Sequence, residues 1–193
     1  MSLEFDIRRS IILSEYLKFW GMPETRKIMT KESESVELYV FPGEDMDQVT
    51  RIATIGLSSC KFKDSTSCNS ELLMVVPFDL GIDKIDSISN YIFDISSYIL
   101  NTRGSNIKSE DLIPENELAP ENWPKAILFD EPSGEPEELG CLHIGLQHVS
   151  LSWLVPIFGR EYDLIKTDGI EAFDAAVENM KLSLVEIRRE SCV

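Results

Sequence analysis

The stretch from Cys141 to Met180, CLHIGLQHVSLSWLVPIFGREYDLIKTDGIEAFDAAVENM, constrains the fold more than any other part of the chain. It opens as a long strand. From Val149 to Val155 the odd positions are apolar, and Ser150 and Ser152 fall between them, with His148 before. That period of two predicts one buried face and one wet face. Pro156 has no N–H for a ladder, so pairing is expected to stop near it. A helix then begins around Arg160, and Asp168 with Glu171 has the spacing of a capping box for the next. Behind it Ile170, Phe173, Val177 and Met180 form one helical stripe.

The rest of the chain reads as the sheet and helices needed to bury that element. Asp6 to Trp20 predicts a helix with Ile7, Ile11, Ile12, Tyr16, Phe19 and Trp20 on one face and Arg8, Arg9 and Lys18 toward solvent. A polar stretch runs through Glu34. Strands are expected at Ser35 to Phe41, with Val36, Leu38 and Val40 on one side, at Val49 to Leu57, and at Glu71 to Phe78, the last as a central strand. Ile85, Ile88, Ile92, Ile95 and Ile99 predict a helix over Asp83 to Asn101, capped by Asp83, with Gly104 beyond its end. Residues 107–138 hold ten acids against two lysines, and five of the nine prolines. They predict irregular backbone with one strand, Lys125 to Phe129. The tail KLSLVEIRRESCV alternates weakly and suggests an edge strand or a short extension. The expected whole is one α+β domain over residues 1–193, a mixed sheet flanked by helices, with an acidic excursion at about 105–138.

Composition bounds the function. Lysine and arginine total 18 against 34 acids, a net charge of −16. Nucleic acid and anionic membranes repel such a chain, and a basic protein attracts it. No apolar run is long enough to span a bilayer, and MSLEFDIRRS does not read as a secretion signal. A cytoplasmic location with reduced Cys60, Cys68, Cys141 and Cys192 is expected.

Chemistry is sparse. Cys141, His143 and His148 suggest a metal site, but on one strand Cys141 and His143 share a face and His148 takes the other. Two ordinary strand histidines is the favoured reading, with no metal or cofactor. Ser58-Ser59-Cys60 follows a strand but lacks an elbow motif, so a polar turn is expected. No phosphate-binding glycine loop occurs. The most distinctive polar feature is FDEPSGEPEELG, with Asp130, Glu131, Glu135, Glu137 and Glu138. These five are the candidate partner-binding residues, weighed against a solvated loop. No catalytic residue is assigned.

ATIGLS at Ala53 to Ser58, ELLMVVP at Glu71 to Pro77, FDEP at Phe129 to Pro132, HVSLSWLVPIFGREYDLIKTDGIEAF at His148 to Phe173 and the EIRRESCV ending together resemble the suppressor-of-fused family. The resemblance implies an α+β domain without enzymatic activity. Animal members bind and restrain a transcription factor with this domain and a second one. Stand-alone bacterial members look like immunity proteins that neutralise a cognate toxin. The expected function is therefore binding of a basic protein, such as a cognate toxin. The alternatives are a scaffold that adds a peptide strand to a sheet edge and, last, a carboxylate hydrolase with two acids of displaced pKa.

Overall fold

The computed structural model describes residues 3–31, 34–43, 49–78 and 82–193. In chain order the elements are α1 (Leu3–Trp20), β1 (Thr25–Lys31), β2 (Glu34–Phe41), β3 (Val49–Ile55), β4 (Ser70–Pro77), α2 (Ile82–Tyr98), β5 (Leu112–Ile113) and β6 (Ala126–Asp130). They continue with α3 (Glu137–Gly140), β7 (Cys141–Ile144), β8 (Gln147–Ile157), α4 (Gly159–Asp168) and α5 (Ile170–Met180). The sheet runs β1-β2-β3-β4-β8-β6-β5, with β7 also on β8. Only the β4–β8 pairing is parallel among those described.

Both faces of the sheet are covered. Tyr39, Phe41, Ala53, Leu73, Val75, Leu128, Trp153 and Val155 share a core with Ile12, Tyr16 and Trp20 of α1, Ile165 of α4 and Phe173 of α5. Leu38, Val40, Ile52, Leu72, Met74, Ile127, Phe129 and Leu154 share the opposite core with Ile88, Tyr91, Ile92 and Ile95 of α2. A sheet buried twice needs apolar residues at both parities, as β4 shows with SELLMVVP. The wet face expected for β8 is therefore confined to its first residues: His148 is exposed and Ser150 half-buried, but Ser152 is only 8% exposed.

The expected central strand and the isoleucine helix are both present. α2 runs into a π-helical turn over Ile99–Arg103 and ends at Gly104 in the left-handed region. The expected cap at Asp83 lies outside the residues whose side chains are described. Several other expectations fail for identifiable reasons. The polar stretch before Glu34 contains β1, which pairs with β2 over seven residues. The long strand from Cys141 is a hairpin that turns at Gly145-Leu146, with Gly145 at φ 64°, the position that two-residue turns reserve for glycine. Pairing does not stop at Pro156, which lies opposite Ile127. The N–H of Ser150 points toward β4, onto the Asn69 carbonyl at 2.8 Å. By alternation the Pro156 nitrogen faces that same flank, beyond Leu73–Trp153, where pairing with β4 ends.

Asp168 closes α4 rather than capping α5, whose N-cap is Gly169 without a side-chain bond. Met180 is 47% exposed, so the α5 stripe ends before it. Arg8 is buried rather than solvated, and Ile7 on the same helix is exposed. The tail forms turns rather than a strand. It is held by Arg189, whose guanidinium grips Glu161 of α4 at 2.5 and 2.7 Å, and by the Cys192 N–H on the same carboxylate.

Candidate functional site

The site forms where the sheet divides. β4 occupies one edge of β8 from Ser150 to Trp153. On the other edge β7 pairs up to Ser150 and β6 begins at Trp153. Between them the chain leaves the sheet through 131–140, and a cleft of about 710 Å³ opens there, lined by Leu151 and Ser152 and also by Lys108 and Ser109. Two prolines and Gly134 (φ 82°) keep this segment out of the ladder.

Four of the five candidate acids line this cleft: Asp130, Glu131, Glu135 and Glu137. Their roles differ. Asp130, at the end of β6, accepts the Ser109 hydroxyl at 3.1 Å and the Glu131 N–H at 2.8 Å. Glu131 and Glu137 are exposed, as is Glu138, which stands beside the cleft on α3. Glu135 turns inward. It accepts the Trp20 Nε1–H at 2.6 Å and the Arg51 Nε–H at 2.6 Å, with side chains 5% and 12% exposed for Glu135 and Arg51. It fastens the loop to α1 and β3. The sequence offered no sign of this, because three distant segments must meet to create it.

One acid of this surface escaped the sequence reading. Partial burial, then the negative fields of Asp130 and Glu171, hold the Asp174 carboxyl of α5 above its ordinary value. Asp174 is exposed on α5 and lies within the field of Asp130 at the cleft.

The buried carboxylates are committed elsewhere. Glu71 on β4 is inaccessible and accepts the amides of Gly56, Leu57 and Ser58 and the hydroxyls of Thr54 and Ser58. Gly56 makes this cage possible. Its φ is 109°, and a Cβ there would stand 2.7 Å from the Ser35 carbonyl. Ser58 is thus a structural turn residue, as expected. Burial pushes the Glu37 pKa up, but hydrogen bonds from Arg26 and Tyr39 outweigh it and the net shift is downward. Glu161 is likewise pushed up by burial and lowered further by Arg189 and two backbone amides. Paired downward in this way, neither supplies the raised carboxyl that a general acid needs.

The hairpin corrects the expectation for the histidines. Because the chain turns back at Gly145-Leu146, His148 pairs opposite His143, and Cys141 opposite Ser150. Cys141, His143 and His148 therefore lie on one face, all exposed, with donor atoms within 4.8 Å of one another. The two rings meet edge to face at 4.7 Å.

Helices on both sides of a mixed sheet, divided at a central strand around an acidic cleft, define an α+β protein of the helix–sheet–helix class. The family model for suppressor of fused protein matches residues 32–190, and the chain belongs to that family. A crystal structure of a suppressor-of-fused homologue from Neisseria gonorrhoeae superposes with a TM-score of 0.68 at 15% identity, over 96% of this chain and 97% of that one. A chain of the Sufu–Fu complex gives 0.66 at 15% identity, over 96% and 91%. Drosophila Suppressor of Fused gives 0.59 at 14% identity, over 82% of this chain but 42% of that one. No curated protein matches the sequence significantly.

Proposed function

We propose that the chain is a non-enzymatic binding domain that takes a basic protein on the acidic surface around the divided edge of β8. We assign it the role of an immunity-type protein that neutralises a cognate toxin in the cytoplasm. The carrying observation is the pair of exposed carboxylates Glu131 and Glu137 lining a cleft whose lining includes Lys108 as its cation, with exposed Glu138 next to Glu137 on α3 and exposed Asp174 within the field of Asp130. Exposed carboxylates lose little hydration before contact, so they steer a basic partner and speed its association. The net charge of −16 adds to that field. Family membership fits a protein partner, since one structural neighbour was solved as the Sufu–Fu complex.

The test pairs the native chain with an E131Q/E137Q/E138Q variant as baits in host lysate at low and high salt. The expected outcome is one basic protein retained near equal stoichiometry by the native chain and weakly by the variant. With that protein purified, its association rate should fall about tenfold for the variant and fall with salt for the native chain. Its toxicity on expression should be relieved by the native chain. Equal association rates for both baits would remove the cleft from the interface.

A second reading rests on the outer edge of β1, the end of the described sheet order, where Ile28 is 49% exposed. An extended peptide can add there as a further strand. That mode predicts binding of short peptides with little salt dependence.

A further inference from the structure

We infer that Cys141, His143 and His148 form a site for a borderline-soft divalent metal ion of the zinc class, with water in the fourth position. The chain has two histidines, and both are in this cluster. It has four cysteines, and Cys141 alone is exposed. Every imidazole and the one accessible thiol of the molecule thus converge on one face of one hairpin.

The geometry suits the ion. Zinc bonds to nitrogen at about 2.0–2.1 Å and to sulfur at about 2.3 Å, which puts tetrahedral donor atoms roughly 3.3–3.6 Å apart. Cys141 Sγ and His148 Nδ1 are already 3.8 Å apart. The full set lies within 4.8 Å, so small side-chain rotations close it. The scaffold is rigid, since Leu142, Ile144 and Val149 bury the opposite face of the same hairpin.

The donor set and its surroundings choose the class of ion. One thiolate and two imidazoles favour zinc and its neighbours over magnesium or calcium, which want oxygen. Cys141 also lines the acidic cleft with Asp130 and Glu137, and their negative field favours a dication there. Binding releases the Cys141 thiol proton to solvent as the S–metal bond forms. The imidazoles bind in their neutral state through one ring nitrogen each.

The test uses the full chain, reduced and stripped of metal, titrated with Co(II) and then with Zn(II). The expected result is one equivalent of Co(II) with thiolate charge-transfer absorption and the strong visible bands of a tetrahedral site, displaced by one equivalent of Zn(II). C141S should abolish the charge-transfer absorption. H143N and H148N should each weaken binding by at least about tenfold. All three positions are exposed, so the variants should retain the native circular dichroism. If one loses it, C141A, H143Q or H148Q replaces it at the same ligand, with the same loss of binding expected. The inference is overturned by weak, unsaturable uptake, by an octahedral spectrum, or by binding that C141S leaves unchanged. It does not depend on the partner reading, because it is measured on the chain alone.

Discussion

Glu131 and Glu135 stand on the same loop and face opposite ways. Glu131 points to water, so its removal costs the fold nothing that it had gained. Glu135 is sealed between Arg51 and Trp20. Glu135→Ala should therefore lower stability by about 3 kcal/mol in urea unfolding, because it removes the buried carboxylate that pairs with Arg51 and accepts the Trp20 indole N–H. Glu131→Gln, Glu137→Gln and Glu138→Gln should each stay within about 0.5 kcal/mol. Neutralising all five acids together would confuse these two effects. The cysteines separate in a similar way. Burial, then the Glu161 charge, pushes the Cys192 thiol up to about 11, and Cys60 and Cys68 are buried. Alkylation of the native protein near neutral pH should label Cys141 alone, read by peptide mass. Labelling of Cys192 at a comparable rate would show that the tail opens.

At the scale of elements, β8 is the member that every other part needs. Trp153 sits at its centre, 6% exposed, paired with Leu73 on one side and Asp130 on the other. Trp153→Ala should cost about 3–5 kcal/mol, and a near-zero change in the urea midpoint would show that its neighbours collapse into the space. The tail depends on one ion pair. Arg189→Ala leaves Glu161 buried without its guanidinium, and should both destabilise by about 3 kcal/mol and admit protease after α5. The elements that announced themselves were those with one unambiguous signal, such as the ELLMVVP run and the isoleucine spacing of α2. β1 did not, because TRKIMTK is an edge strand with lysine and arginine on it, and edge strands are charged for good reason. The hairpin was missed because Gly145-Leu146 is a weak turn signal inside a long apolar pattern. Without the turn, the histidines fall on opposite faces, so the one error hides the β7 strand and sets aside the Cys141–His143–His148 cluster that the residue types suggest. The acidic loop was found, but Asp174 was not, since nothing local to α5 marks it as a neighbour of Asp130.

At the scale of the molecule, charge and topology set the behaviour. Glu37 and Glu161 titrate below their ordinary 4.5 in the folded state. Their contribution to stability is complete above about pH 4.5 and is lost as pH falls through the lower folded values. The urea midpoint should hold from neutral pH to about 5 and then decline, more shallowly in Glu161→Gln. Asp174 has the opposite sign, since protonation relieves its charge, and it offsets a small part of that decline. The parallel contact between β4 and β8 has a kinetic consequence. β1 to β4 form a meander of neighbours in sequence, but Ser70 meets Ser150 eighty positions away. Closing that loop costs entropy before the contact returns any stability. A nascent chain that has displayed α1 through α2 still lacks the partner for one flank of β4. It exposes an apolar edge until β8 has left the ribosome. Assembly of the sheet is therefore a late event, and slowing synthesis between α2 and β8 should lengthen the interval in which the chain needs a chaperone.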